Sequence, residues 1–138
     1  MSMVDWWKKV VFDNYANFEG RARRSEYWHY VLMNGLLGVG LFVLGAVFAG
    51  MEIGVLSGLF MVAYVVLAVG TFIPSLAVAV RRLHDGNYSG WFLLLGFVPI
   101  ANIVLIVFLA TEGTRGPNKY GPDPKAVHED TLTEHLVS

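Results

Sequence analysis

Hydrophobic and polar positions along the chain fall into long blocks. Three apolar runs without a charged residue cover residues 31–51, 53–80 and 91–110, and polar segments stand between them. About 20 helical residues cross the roughly 30 Å hydrocarbon core of a bilayer, so each run is long enough to span it. The pattern predicts an all-α integral membrane protein with about three transmembrane helices in a domain over residues 30–110.

The second and third runs contain residues that disturb a straight helix. The second run makes roughly 42 Å of ideal helix, which exceeds the hydrocarbon core. Pro74 predicts a kink in it, because proline removes a backbone hydrogen bond. The third run has Gly96, Pro99 and Asn102 in its middle. A straight span and a broken, re-entrant hairpin both fit this third run.

The segments outside the apolar runs are polar. Residues 1–29 are expected to form a cytoplasmic interfacial segment without a cleavable signal peptide, because the first apolar run begins so late. Within it, residues 3–18 predict an amphipathic helix that lies in the headgroup layer or packs against the bundle. Its expected apolar face consists of Trp7, Val10, Val11, Tyr15 and Phe18. Residues 111–138 predict a polar tail that is disordered after about residue 125.

Composition favours a membrane protein and excludes several other classes. The chain has 138 residues, of which 55% are hydrophobic and 15% charged, whereas soluble domains are about 25% charged. The net charge of -1 provides no basic excess, so no nucleic-acid partner is expected. The absence of cysteine excludes disulfides, thiolate metal sites and cysteine nucleophiles.

The distribution of lysine and arginine predicts the orientation of the spans. The first 29 residues and the 81–90 connection are rich in these cations, whereas the turn at 50–52 has none. The positive-inside bias therefore places the N-terminus and the 81–90 connection in the cytoplasm. Three complete spans would leave the tail outside, but its three cations favour the inside, and a re-entrant third element would resolve that conflict. These cations are Arg115, Lys119 and Lys125.

Two polar clusters, residues 20–28 and residues 81–85, border the apolar runs and are expected to meet at one membrane face. An unpaired charge in hydrocarbon is costly, so these charges need partners. Asp85 is expected to accept from Arg21, Arg24 or its own neighbours in an Arg–carboxylate network. The planar guanidinium equally suits phosphate, so a site for anionic lipid headgroups is the second interpretation.

Residues in and around these clusters are candidates for contact with lipid or a partner protein. Ser25 is expected to cap the first transmembrane helix, with Glu26 in its first turn. The complete candidate set consists of Arg21, Arg23, Arg24, Glu26, Trp28, Arg81, Arg82, His84, Asp85, Trp91, Asn118, Tyr120 and Asp123.

No catalytic residue, metal site or cofactor is predicted. His84 and Asp85 suggest a general base, but no serine or cysteine nucleophile motif accompanies them. Residues 85–87 also form a strong turn signal, which gives Asp85 a structural explanation. The four histidines, His29, His84, His128 and His135, lack a convincing ligand spacing.

Several motifs in order resemble a known family. They are Phe18-Glu19-Gly20-Arg21 with Arg24-Ser25-Glu26-Tyr27-Trp28, then Arg81-Arg82-Leu83-His84-Asp85, Ser89-Gly90-Trp91 and Pro99, and finally Gly116, Asn118 and Tyr120-Gly121-Pro122-Asp123-Pro124. Over residues 5–124 the chain resembles the bacterial membrane-protein family called domain of unknown function 805. The resemblance implies a small inner-membrane protein of unassigned activity, and it supplies no catalytic residue.

The leading functional hypothesis is a non-enzymatic interaction or scaffold component. Its cytoplasmic Arg/Asp/aromatic face would bind anionic lipid headgroups or a partner protein, and the chain would act alone, as a homo-oligomer or with a membrane-protein partner. One alternative is a transport or channel subunit, which would need an oligomer because three helices enclose no pathway. The other is an enzyme acting on a phospholipid, with Arg81, Arg82 and His84 near the phosphate and Asp85 assisting.

Overall fold

The computed structural model describes residues 2–125, and over that part of the chain every regular element is helical. α1 covers Met3–Lys8 and continues as a π-helical turn over Lys9–Asp13. The remaining elements are α2 (Arg24–Gly50), α3 (Gly54–Gly70), α4 (Phe72–Asp85), a 3-10 segment (Gly90–Phe97) and α5 (Ala101–Ala110). The disorder expected after about residue 125 concerns residues outside the described part.

Two helical stretches are long and apolar enough to cross a membrane, namely α2 and the stretch Gly54–Asp85 that contains α3 and α4. They correspond to the first two predicted spans. α2 and α3 form a hairpin in which a Cβ on Gly45 would lie 2.6 Å from Cε of Met61. The missing side chain of Gly45 therefore allows the close approach of the two helices.

The predicted kink at Pro74 is a break between α3 and α4 at Thr71. Proline has no N–H to donate to the carbonyl of Gly70, four residues earlier. That carbonyl instead accepts a hydrogen bond from the Tyr15 hydroxyl at 2.9 Å. Asn34 Nδ2 donates to Thr71 Oγ1, at the break itself, at 3.2 Å. Side chains from two other segments thus satisfy polar groups that the break exposes.

α1 packs against the N-terminal half of α2. Trp6 and Val10 are buried, and Val10 contacts a core cluster that includes Tyr30. Trp7 Nε1 donates to Asn34 Oδ1 at 3.2 Å. The contacts are those of a helix packed on the bundle, which was one of the two arrangements expected for this segment.

The predicted extent of the N-terminal helix is wrong at its C-terminal end. The helix ends at Asp13 rather than at residue 18. Asn14 Nδ2 donates to the carbonyl of Lys9 at 3.0 Å, so a side chain replaces the next backbone donor. Tyr15 and Phe18, expected on the apolar face, are exposed, and the Tyr15 hydroxyl reaches the break in the second span instead.

The third apolar run is a broken hairpin, one of the two arrangements that its sequence allows. The 3-10 segment and α5 are separated at residues 98–100, where Ile100 has a φ of 73°. Both ends of the hairpin lie beside the C-terminal half of α4. A Cβ on Gly90 would lie 2.9 Å from Cγ1 of Val80, and the Leu109 carbonyl accepts from Arg82 Nε at 2.8 Å. The chain therefore returns to the end of the bundle from which it left.

We predict that Tyr15→Phe lowers the free energy of unfolding by about 0.5–1.5 kcal/mol, because the Gly70 carbonyl loses its donor. The measurement is denaturation of the detergent-solubilised protein. Pro74→Ala restores a backbone N–H to that carbonyl, so Tyr15→Phe should cost less in a Pro74→Ala background. An equal cost in both backgrounds would contradict this account of the break.

Candidate functional site

The two polar clusters meet, as predicted. The Ala22 N–H donates to the Arg81 carbonyl at 2.9 Å, and His84 Nδ1 lies 3.0 Å from the Gly20 carbonyl. The segment before α2 therefore runs along the last turns of α4. Residues Arg81, Arg82, Leu83, His84 and Asp85 are all buried.

The Asp85 carboxylate lies between two guanidinium groups. Its Oδ1 is 3.0 Å from Arg21 Nε and 2.9 Å from Arg21 Nη2. Its Oδ2 is 2.6 Å from Arg82 Nη1. The two arginines and the aspartate are nearly inaccessible to solvent. Arg24, the other donor expected for Asp85, makes no such pair and is exposed.

Main-chain carbonyls occupy the remaining donors of both arginines. Arg82 Nε donates to the carbonyl of Leu109 at 2.8 Å, and its Nη2 donates to that of Thr111. Arg21 Nη1 donates to the carbonyl of Gly116 at 2.7 Å, and its Nη2 donates to that of Thr114. The two side chains therefore hold the end of α5 and the loop after it.

Glu26 forms a second buried pair. Its Oε1 lies 2.6 Å from Arg81 Nη1, and its Oε2 lies 3.3 Å from Lys9 Nζ. Arg81 Nε also donates to the carbonyl of Asn17 at 3.1 Å. Glu26 is in the first turn of α2, as predicted, but it pairs with α4 and with the N-terminal segment.

The predicted helix cap at Ser25 is wrong. α2 begins at Arg24, and Arg23 occupies the capping position without a side-chain hydrogen bond to the helix. The helix starts two residues earlier than a Ser25 cap would allow, because the Ala22–Arg81 backbone bond already holds the preceding segment along α4. Burial of the preceding segment thus overrides the local capping preference.

The loop after α5 packs on the network through the predicted residues near its end. The rings of His84 and Tyr120 stack at a centroid distance of 3.9 Å. Asn118 Nδ2 donates to the His84 carbonyl at 2.9 Å. Asp123 accepts from the N–H of Gly116 at 3.0 Å and shapes the loop itself.

Gly113 is a site residue that was not among the sequence candidates. Any Cβ at this position would overlap the Asp85 carboxylate, so only glycine lets the loop approach the network. The Thr114 N–H then donates to the Asp85 carbonyl at 2.7 Å.

Lys9 and the carbonyl groups that accept from Arg21 and Arg82 were missed as well. Backbone acceptors have no signature in a sequence, because every residue has one.

The remaining candidates lie at the edge of the network. Trp28 Nε1 donates to the Leu109 carbonyl at 3.3 Å, while 79% of Trp91 is exposed. Arg24 is exposed, and Arg23 lies over the Trp6 ring with its Cζ 5.9 Å from the ring centroid. Within residues 2–125, Arg23 Nε and Arg81 Nη2 are buried nitrogen atoms without a hydrogen-bond partner.

Fold and network together define the class of the protein. It is an all-helical membrane protein in which a buried Arg–carboxylate network holds helix ends and a terminal loop together. Over residues 15–122 the chain matches the family model described as protein of unknown function (DUF805). The chain belongs to this family, as its sequence motifs predicted.

Related proteins confirm the predicted membrane character. The inner membrane protein YhaI of Escherichia coli (strain K12) is 48% identical over 120 residues, which cover 86% of this chain and 95% of YhaI. The inner membrane protein YhaH of the same organism is 42% identical over 125 residues, which cover 88% of this chain and 98% of YhaH. The uncharacterized protein YiiR is 30% identical, with coverage of 80% and 88% respectively. No solved structure matches the chain.

We predict that Asp85→Asn lowers the free energy of unfolding by about 3–5 kcal/mol, because it leaves two buried guanidinium groups without their counter-charge. Thermal or denaturant unfolding in detergent measures this change.

The matched control is Glu112→Gln, which makes the same acid-to-amide change in solvent. Lys125 and then Arg115 hold the pKa of Glu112 below its usual range, but the side chain is exposed and such pairs contribute little. No measurable loss of stability is expected. Equal effects of the two substitutions would refute a structural role for the Asp85 network.

Proposed function

We propose that this chain is a non-enzymatic interaction or scaffold component of the bacterial inner membrane, with a cytoplasmic face that contacts anionic lipid headgroups. The observation that carries the proposal is the hydrogen bonding of the Arg21 and Arg82 guanidinium groups. Every nitrogen of both guanidinium groups has an acceptor within the protein. Both guanidinium groups therefore stabilise the fold and have no donor directed at a ligand.

This arrangement favours a structural network over a catalytic one. Arginines that stabilise a transferring phosphoryl group need donors aimed at the substrate. Here the donors of Arg82 point at Asp85 and at the carbonyls of Leu109 and Thr111. A phospholipid phosphate would have to displace these partners from a buried position.

The contact surface for lipid is therefore the exposed edge of the network. Lys8, the last residue of α1, and Arg24, the first residue of α2, are both exposed. Trp28 is an exposed aromatic side chain of the kind enriched at membrane interfaces. A cation near an anionic leaflet contributes about 1 kcal/mol to binding, so these residues form an electrostatic and aromatic contact zone.

The proposed orientation places the network at the cytoplasmic surface. The start of α2, the end of α4 and both ends of the third run lie at this end of the bundle. The ten residues of α5 are about 15 Å long, roughly half of the hydrocarbon core. The third run would accordingly re-enter the membrane from the cytoplasm, and the loop over residues 111–125 would remain on that side with the N-terminus.

We predict that Arg115 and Lys8 are cytoplasmic and that Glu52 is periplasmic. Because the chain has no cysteine, single substitutions Lys8→Cys, Glu52→Cys and Arg115→Cys report on each position without background. A membrane-impermeant maleimide added to spheroplasts should label only Glu52→Cys, and all three should be labelled after permeabilisation. Labelling of Arg115→Cys in intact spheroplasts would show that the third run spans the membrane.

We predict that Arg24→Gln weakens retention of phosphatidylglycerol about fivefold, the effect of one cation at an anionic surface. Native mass spectrometry of the purified protein measures the retained lipid. Arg115→Gln is the matched control, because Glu112 already lies 3.6 Å from that guanidinium. Unchanged retention by Arg24→Gln would exclude this residue from lipid binding. Photocrosslinking from position 24 to a protein alone would support a protein partner instead.

A further inference from the structure

A cavity of about 450 Å³ lies beside the ion network, between α4, the start of the 3-10 segment and the terminal loop. Three of the side chains that line it are aromatic, and His84 and Ser89 contribute polar groups. The aromatic residues are Phe18, Trp91 and Tyr120. They come from the segment before α2, the start of the 3-10 segment and the terminal loop, which the network brings together.

The lining of this cavity contains no acidic residue and no lysine or arginine. Aromatic faces attract a cation through the ring quadrupole without requiring a carboxylate. The His84 ring adds a directed acceptor. Its Nδ1 faces the Gly20 carbonyl at 3.0 Å, and a carbonyl only accepts, so Nδ1 carries the hydrogen. In the neutral ring Nε2 is then an acceptor.

A positive charge also lies next to this cavity. Lys119 Nζ is 5.1 Å from the centroid of the Tyr120 ring, and Lys119 is exposed. The surroundings therefore offer aromatic faces and an acceptor for a cation inside the cavity, and an ammonium for an anion at its edge. A zwitterion with its two charges a few bonds apart matches this arrangement.

An apolar groove of about 300 Å³ continues from the cavity. The two share Ser89 and Trp91, and the groove then follows the 3-10 segment along Phe92, Leu94, Leu95 and Val98. Most of these side chains are exposed, namely those of Phe92, Leu94 and Val98. The cavity and the groove together therefore lead from polar and aromatic side chains to an apolar surface of the third apolar run.

From this continuity we infer that the cavity and the groove together bind one phospholipid with an ammonium-bearing headgroup, phosphatidylethanolamine in chemical class. The ammonium lies between Phe18 and Trp91 and donates to His84 Nε2, while the Tyr120 ring stacks on His84. Lys119 meets the phosphate, and one acyl chain lies along the 3-10 segment. This site is separate from the cationic edge at Lys8 and Arg24, and it requires neither of those residues.

Native mass spectrometry of the full chain in detergent tests the inference directly. The probes are phosphatidylethanolamine and a diacylglycerol with the same acyl chains, added separately. The unmodified protein should retain the phospholipid and release the diacylglycerol. Trp91→Leu and Phe18→Leu should each lower retention of phosphatidylethanolamine roughly two- to fivefold, as expected for the loss of one cation–π contact.

The matched control is Phe72→Leu, an exposed aromatic residue on α4 that lines neither the cavity nor the groove. It should leave retention unchanged. Trp91 and Phe72 are both solvent-accessible in the free chain, so neither substitution removes a buried contact. Equal retention of the two probes, or equal losses in Trp91→Leu and Phe72→Leu, would overturn the inference. Arg24→Gln should retain phosphatidylethanolamine normally, which separates this outcome from failure of the anionic-lipid proposal.

Discussion

The pairing of Asp85 with Arg21 and Arg82 is the interaction on which the rest of the structure depends. A charge buried next to hydrocarbon requires a partner and full hydrogen bonding. Arg21 precedes α2, and Arg82 lies at the end of α4. Their other donors bind carbonyls in the last turn of α5 and in the loop after it, so satisfying these three ions fixes four parts of the chain at once. Lysine would not replace either arginine, since one ammonium lacks the planar fork that reaches a carboxylate and several carbonyls together.

The broken hairpin of the third apolar run shows why this network of ion pairs is needed. A straight transmembrane helix satisfies its own backbone, but irregular backbone at membrane depth is tolerated only where protein or water satisfies it. Within residues 89–111 the chain changes from a 3-10 segment to α5 through a residue with positive φ. Neither half is long enough to be stable alone. Arg82 and Trp28 both bind the Leu109 carbonyl, so the two long helices hold the last turn of α5 in place.

The apolar runs predicted α2, the second span and the break that Pro74 causes at Thr71, because these features depend on local composition and on proline chemistry. The meeting of the two polar clusters was also predictable, since unpaired charges bordering hydrocarbon must find each other. The sequence did not distinguish between two arrangements of the third apolar run, because Gly96, Pro99 and Asn102 fit a kinked span as well as a hairpin. The predicted helix cap at Ser25 is wrong because tertiary contacts at Ala22 determine where α2 begins. Three carbonyl partners of Arg21 lie 93 to 100 residues away in the chain, and backbone groups provide no pattern to reveal them.

Helix dipoles explain how the charges are distributed within the network. α4 and α5 end there, so each presents the partial negative charge of its C-terminal carbonyls, whereas α2 begins there and presents a partial positive charge. Arg82 lies in the last turn of α4 and binds the last turn of α5, and Glu26 lies in the first turn of α2. Three buried arginines face only two buried carboxylates, and the carbonyl ends of the two helices supply part of the missing negative charge. The excess of arginine over acid is therefore a consequence of topology, because a chain whose third apolar run turns back brings one more helix C-terminus to the same surface.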